Sequence, residues 1–162
     1  MLKNKNIFKS ASKLLLVLLV MTVVSCDSKV VYETHIDISG EEWDKDSVYE
    51  FSYQADTILS QAVKFYFNIR NTSAYKYQNL WLFSEVEVPN NASRLDTINL
   101  EFMDDLGNWK DGVSGGRIKE SRHFVYGIRN APKGEYKIRV RHGMRDSSLK
   151  NMVSIGFRIE KI

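Results

Sequence analysis

The sequence predicts an all-β domain, an antiparallel β-sandwich of about eight strands, jelly-roll or immunoglobulin-like. Three observations carry this reading. Short runs alternate apolar and polar residues, most clearly in Gln61–Asn71, where Val63, Phe65, Phe67 and Ile69 alternate with Lys64, Tyr66, Asn68 and Arg70. Turn signals such as Asn71-Thr72-Ser73 and Pro89-Asn90-Asn91 break the runs at regular spacing. Beyond residue 26 no helical period lasts more than one turn. Many short, regularly spaced strands are the signature of a sandwich.

Taken in order, Val30–Asp37 reads as a first strand and Ser39-Gly40-Glu41-Glu42 as a turn before Trp43. A polar break at Lys45-Asp46 precedes a strand over Ser47–Tyr53. Gln61–Asn71 follows, then Asn79–Val88, which is apolar on both faces at its start, as a central strand would be. Arg94–Met103 places Ile98, Leu100 and Phe102 inward. The stretch Asp104–Gly116 is a long loop holding four of the nine glycines and Trp109. Arg117–Ile128 is a strand pair or a bent strand with a bulge at Gly127. Tyr136, Ile138 and Val140 alternate in the next strand, Arg145–Asn151 is a polar loop, and Val153, Ile155, Phe157 and Ile159 define the last strand.

The stretch before the sandwich is of another kind. Lys3, Lys5, Lys9 and Lys13 precede an eleven-residue, mainly apolar run, Leu14–Val24, which ends in Ser25 and the single cysteine, Cys26. This is the layout of a cleaved helical signal peptide, and the run is short of the roughly 20 residues a membrane span needs. The ending Val23-Val24-Ser25-Cys26 resembles a bacterial lipobox. That resemblance implies cleavage after residue 25 and lipidation of Cys26 by fatty acyl chains such as palmitate. The expected organisation is residues 1–25 as signal peptide, 26–29 as lipidated tether and 30–162 as one β-sandwich domain. A tether of three or four residues reaches only about 10–14 Å, so the domain sits close to the membrane surface. With one cysteine, no intramolecular disulfide forms.

The formal charge of +3 misleads, because four of the 23 Lys/Arg belong to the leader. The remaining 19 face 20 Asp/Glu, so the charge gives no support for nucleic-acid binding. The charge is nevertheless uneven. Residues 26–105 hold 15 acids and 6 bases, whereas residues 106–162 hold 5 acids and 13 bases. Either the late bases form one basic face, or acidic early strands pair with basic late ones. In a small sandwich, where strands from both halves interleave, the second is favoured.

Catalytic and metal motifs are thin. His35, His123 and His142 have no second histidine at metal-ligand spacing. His142 continues the inward series of Tyr136, Ile138 and Val140, and reads as a hydrogen-bonded histidine at the core edge. Asp104, Asp105 and Asp111 offer oxygen ligands in a loop but without calcium-loop spacing. Glu41-Glu42, or Glu85 with Glu87, would be needed for hydrolase chemistry, yet paired carboxylates on one strand face are ordinary. No metal, cofactor or enzymatic activity is expected. The candidate interaction residues are Trp109, in a loop whose pattern demands no core side chain and where it reads equally as a plug pinning the loop to the sandwich, and the basic set Arg117, Lys119, Arg122, Arg139 and Arg141. Trp109 with surface tyrosines also suits a polysaccharide-binding module. Asp46-Ser47-Val48, Asp56-Thr57-Ile58 and Asp96-Thr97-Ile98 resemble acceptor sites of bacterial envelope O-glycosylation.

Several blocks together resemble one family. They are the lipobox, Trp43 with Lys45-Asp46-Ser47-Val48, Phe67-Asn68-Ile69-Arg70-Asn71, and Tyr77-Gln78-Asn79-Leu80-Trp81-Leu82-Phe83. With them go Asp96-Thr97-Ile98, Gly107-Asn108-Trp109, Gly134-Glu135-Tyr136-Lys137-Ile138, Met144-Arg145 and Gly156-Phe157-Arg158-Ile159-Glu160-Lys161. Over essentially the whole mature chain these are similar to the GldH family of gliding-motility lipoproteins. The resemblance implies a protein anchored in the cell envelope, to the inner or outer membrane, by acyl chains on Cys26. Its implied partners are gliding or associated secretion proteins, and it implies no catalytic residue. The start Asp27-Ser28-Lys29 lacks a surface-export signal, which favours the periplasmic side.

Overall fold

The computed structural model describes residues 29–110 and 116–162. The expected signal peptide, Cys26 and most of the tether lie outside the described residues, as does the loop segment 111–115. Ten strands form: β1 (Val30–Asp37), β2 (Glu42–Asp44), β3 (Tyr49–Ala55), β4 (Val63–Thr72), β5 (Asn79–Glu87), β6 (Arg94–Glu101), β7 (Ile118–Ile128), β8 (Gly134–His142), β9 (Ser148–Lys150) and β10 (Met152–Lys161). Two four-stranded sheets, ordered β1-β10-β4-β7 and β3-β8-β5-β6, pack face to face, and β2 pairs with β9 in a small third sheet.

Every pairing is antiparallel, and the pairs are nested. β1 pairs with β10, β2 with β9, β3 with β8, β4 with β7 and β5 with β6. The chain is one long hairpin, folded at the β5–β6 turn and rolled so that successive pairs alternate between sheets. This is the jelly roll of the two expected sandwich types. In an immunoglobulin sandwich the first two strands share a sheet, whereas here β1 and β3 lie in different ones. The hairpin tip is the Pro89-Asn90-Asn91 turn. Asn90 takes φ +62°, a conformation asparagine tolerates better than most residues, and the Asn91 N–H donates to the Val88 carbonyl at 3.1 Å.

The core is built from the inward half of each alternation. Val63, Phe65, Phe67 and Ile69 of β4 are fully buried, as are Leu80 and Leu82 of β5 and Ile138 of β8. Phe157 of β10 stands at the centre. Its ring lies 5.6 Å and 6.0 Å from those of Phe65 and Phe67 in its own sheet, and 5.8 Å from Phe51 in the other. Such ring pairs contribute about 0.5–1.5 kcal/mol each beyond area burial.

Four details depart from the sequence reading. The polar stretch Arg145–Asn151 contains β9, whose Leu149 is buried beside Trp43. Three-residue strands are too short to show a period. The chain 117–128 is a single strand, and its bulge falls between the Phe65↔Tyr126 and Tyr66↔Phe124 pairs, at Val125, while Gly127 stays in register with Lys64. On β10, Ser154, Gly156 and Arg158 are buried although they face outward; His35 of β1 lies over Gly156 and Glu33 of β1 pairs with Arg158. His142 is fully buried, edge-on to Trp43 at 5.7 Å, but neither ring nitrogen has a hydrogen-bond partner among the described residues.

The strand directions fix two ends. Val30, Val63, Ile128 and Lys161 meet at one end, where the chain enters. The β2–β9 pair and the β6–β7 loop lie at the other, since Ile118 pairs with Thr72.

Burial lowers the pKa of His142. The unfolded chain therefore takes a proton at about pH 6.5, which the folded chain accepts only at lower pH. Stability from this residue is complete above pH 6.5 and falls as the pH drops below it. Urea midpoints at pH 7.5 and 5.5 are expected to differ less for His142→Leu than for the wild type. An equal drop in both would remove His142 as the cause.

Candidate functional site

The two outer faces of the sandwich differ. On the outer face of β1-β10-β4-β7, register places Glu33 of β1 opposite Arg158 of β10, and Asn68 of β4 opposite Arg122 of β7. The Arg158 guanidinium, 7% exposed, donates to Glu33 and Glu160 at 2.5 Å each. Asn68 Nδ2 donates to Glu33 at 2.8 Å, and Arg122 donates to Asn68 Oδ1 at 3.2 Å and Glu160 at 3.1 Å. Arg70 and Glu120 pair beside them at 2.8 Å. His35 lies across Gly156, where an added Cβ would come within 2.3 Å of His35 Nδ1 and 3.0 Å of the Thr34 carbonyl oxygen. A belt of charged hydrogen bonds crosses this face, and beside it Phe124 of β7 stands exposed, edge-on to Tyr66 at 6.1 Å.

The outer face of β3-β8-β5-β6 has two parts. In one, Arg139 of β8 stands opposite both Glu50 and Glu85. It donates to Glu50 at 2.7 Å, Glu85 at 3.2 Å and Glu87 at 2.5 Å. Hydrogen bonds to Glu87, then Glu50 and Glu85, raise the Arg139 pKa further. In the other part the central strand β5 turns Trp81 and Phe83 to solvent, 41% and 38% exposed. Phe83 lies between Thr97 of β6 and Arg141 of β8, whose guanidinium carbon is 4.8 Å from the ring centroid. The ring also leans on Gly143, where a Cβ would sit 3.0 Å from it. Trp81 is opposite Asn99, which accepts from Asn79 Nδ2 at 2.7 Å. The Trp81 backbone is tied on its other side, its carbonyl accepting from Gly143 N–H at 2.7 Å and its N–H facing Met144 Sδ at 3.3 Å. Two adjoining depressions of about 680 and 460 Å³ share Phe83 and Thr97, and Leu95 and Val48 add exposed apolar surface to the larger one. These are volumes typical of ligand sites.

The sequence-derived candidates are spread over three places. Trp109 sits at the end opposite Val30, half-buried and stacked on Phe102 at 6.3 Å, in an isolated bridge with Met103. Lys119 Nζ is 5.9 Å from its ring, and Arg117 nearby holds Glu41 through a two-pronged ion pair. Arg122 belongs to the outer face of the first sheet, and Arg139 and Arg141 to that of the second. The basic residues therefore share no single face. The carboxylates considered for chemistry are committed as well. Glu42 accepts from Ser148 at 2.9 Å, and Asp104 Oδ1 accepts from the backbone N–H groups of Leu106 and Asn108 at 2.9 and 2.8 Å. Those bonds, chiefly from Asn108, lower the Asp104 pKa. Among the described residues no group of three His, Cys, Asp or Glu could hold a metal ion, and Asp111 lies outside them. Of the expected glycosylation acceptors, Thr57 and Thr97 are exposed and Ser47 is half-buried.

Sequence reasoning missed Trp81 and Phe83 as surface residues. Their signal was the double-sided apolarity of β5, read as burial on both faces. In a two-layer sandwich a central strand has only one buried face.

The fold and this surface define a jelly-roll domain with one outer face crossed by a belt of ion pairs and the other carrying Trp81 and Phe83 beside two open depressions. The chain belongs to the GldH family of gliding-motility lipoproteins, since the family described as GldH lipoprotein matches residues 30–159. A relative from Christiangramia forsetii, named gliding motility lipoprotein GldH homolog, is 34% identical over 85% of this chain and 87% of its own. The gliding motility lipoprotein GldH of Flavobacterium johnsoniae is 29% identical over 91% and 94%. Among solved structures, a family GH115 4-O-methyl-α-glucuronidase with specificity for decorated arabinogalactans shares the fold at TM-score 0.50 and 12% identity. The match covers 85% of this chain and 18% of that enzyme. The family makes this a lipoprotein connected with gliding, and among the described residues no helix is long and apolar enough to cross a membrane.

Arg139→Gln leaves three carboxylates facing one another. The variant is expected to melt lower than the wild type at low ionic strength and to recover much of the difference in about 1 M salt, which screens the repulsion between exposed carboxylates. A loss of the same size at both ionic strengths would mean that Arg139 acts through packing alone.

Proposed function

We propose that the protein is a non-catalytic interaction domain of the gliding or associated secretion apparatus, anchored through lipid on Cys26 and facing the periplasm. In this reading residues 1–25 are removed, residues 26–29 are the tether and the sandwich from residue 30 binds other envelope proteins. The observation that carries it is the polarity of the domain. The chain enters at Val30, beside Lys161 and Ile162, a few residues after Cys26. Trp109, Lys119 and Arg117 cluster at the opposite end. A tether of about 10–14 Å holds the entry end against the bilayer and directs the Trp109 end away from it. Aromatic rings beside cationic side chains are the pairing that protein interfaces favour at their centres. Two or more acyl chains give stable anchoring where one does not.

A second reading, an envelope carbohydrate-binding module, is supported by a different observation. Its aromatic platform is Trp81 with Phe83 on the open sheet face, and Trp109 has no part in it.

Cys26→Ser is expected to move the protein from the membrane to the soluble fraction with an unchanged melting temperature. A variant that stays fully processed and membrane-bound would contradict the anchor. Pull-down from native membranes is expected to recover gliding or secretion components with the wild type and fewer with Trp109→Ala/Lys119→Ala. Recovery of none with the wild type would contradict the interaction role.

A further inference from the structure

We propose that the open face of the β3-β8-β5-β6 sheet binds an acidic glycan, with Trp81 and Phe83 as stacking platforms and Arg141 and Arg145 as the groups that select its negative charge. The proposal rests on the carbohydrate-binding reading and is independent of the Trp109 end.

The floor decides what kind of ligand is held. β5 and β8 are interior strands, hydrogen-bonded to neighbours on both sides. No free backbone edge is offered there, so a peptide cannot add as an extra strand. Recognition falls to side chains. Trp81 and Phe83 are two residues apart on one face, about 7 Å along the strand, and both are held in place. Gly143 gives the Phe83 ring its seat, and the Trp81 backbone is bonded to Gly143 and faces Met144. Rigid aromatic faces suit the flat C–H surface of a sugar ring. Asn79, Asn99 and Thr97 lie alongside with amide and hydroxyl groups, which both donate and accept, as sugar hydroxyls do.

Charge narrows the class. The carboxylates lining the larger depression, Glu85 and Asp96, are each held by an arginine, Arg139 at 3.2 Å and Arg94 at 3.0 Å. Arg141 and Arg145, both exposed, pair with no carboxylate among the described residues. The smaller depression is lined by Arg145 and by no acidic side chain. Two guanidinium groups without a carboxylate partner among the described residues therefore lie beside the aromatic row, while the surplus of negative charge on this face is gathered around Arg139, among Glu50, Glu85 and Glu87. A guanidinium takes a carboxylate in a planar, bidentate manner, which points to a glycan bearing uronic acids or comparable anionic groups.

The test is affinity electrophoresis of the detergent-extracted full-length protein through gels containing polygalacturonate, dextran or poly-L-glutamate. Retardation is expected with polygalacturonate and not with the other two. Trp81→Ala and Arg141→Gln should each weaken it about tenfold or more in protein that still unfolds cooperatively, while Trp109→Ala leaves it intact. Equal retardation by dextran would overturn the acidic selectivity and keep the sugar reading. Equal retardation by poly-L-glutamate would reduce the face to plain charge attraction and overturn the proposal. No retardation in any gel would overturn both the proposal and the sugar reading, and so would retardation indifferent to both variants.

Discussion

The structure depends on the contact of Phe157 with Phe65, Phe67 and Phe51. These four rings join β10, β4 and β3, and so hold one sheet against the other at the middle of the sandwich. With no second cysteine in the chain, the two layers are held by apolar burial and by the strand ladder. Losing such a buried ring typically costs about 3–5 kcal/mol, a large share of the stability of an ordinary domain. β10 lies between β1 and β4 in its sheet, which puts Phe157 at the middle of the cluster.

The same nesting accounts for the charge distribution. Acids dominate the first part of the chain and bases the last, and a hairpin folded at its midpoint brings the two parts opposite each other. Glu33 meets Arg158, Glu50 meets Arg139 and Glu41 meets Arg117. What looks in one dimension like a basic half is in three dimensions a set of cross-strand pairs. Each exposed pair adds little to stability, but together they set register and keep opposite charges off the core. They also leave Arg141 and Arg145 as exceptions beside exposed aromatic rings.

The inner faces were legible because period-two alternation is a local signal. Val63 to Ile69 and Tyr136 to Val140 could be read directly, and β1 falls where expected. The β2–β9 sheet was not legible, because Trp43 and Leu149 gain their burial from strands 106 residues apart, as the Ser148–Glu42 bond spans. The fate of each arginine was hidden for the same reason. Arg139 and Arg141 look alike in sequence, yet one faces three glutamates and the other a phenylalanine ring. Register, which no local pattern encodes, separates them. Trp81 and Phe83 did carry a signal, a surplus of apolar residues on a strand with only one face to bury, and it pointed to a surface in place of a core.

If an acidic glycan occupies the Trp81–Phe83 face, as proposed, that face is covered in the envelope and open in the isolated protein. Hydroxyl-radical footprinting with mass spectrometry measures this directly, on intact membranes and on the purified full-length chain. The account predicts strong oxidation of Trp81 and Phe83 in the purified protein and protection in native membranes, with buried Trp43 silent in both. Equal oxidation of Trp81 and Phe83 in the two preparations would contradict it.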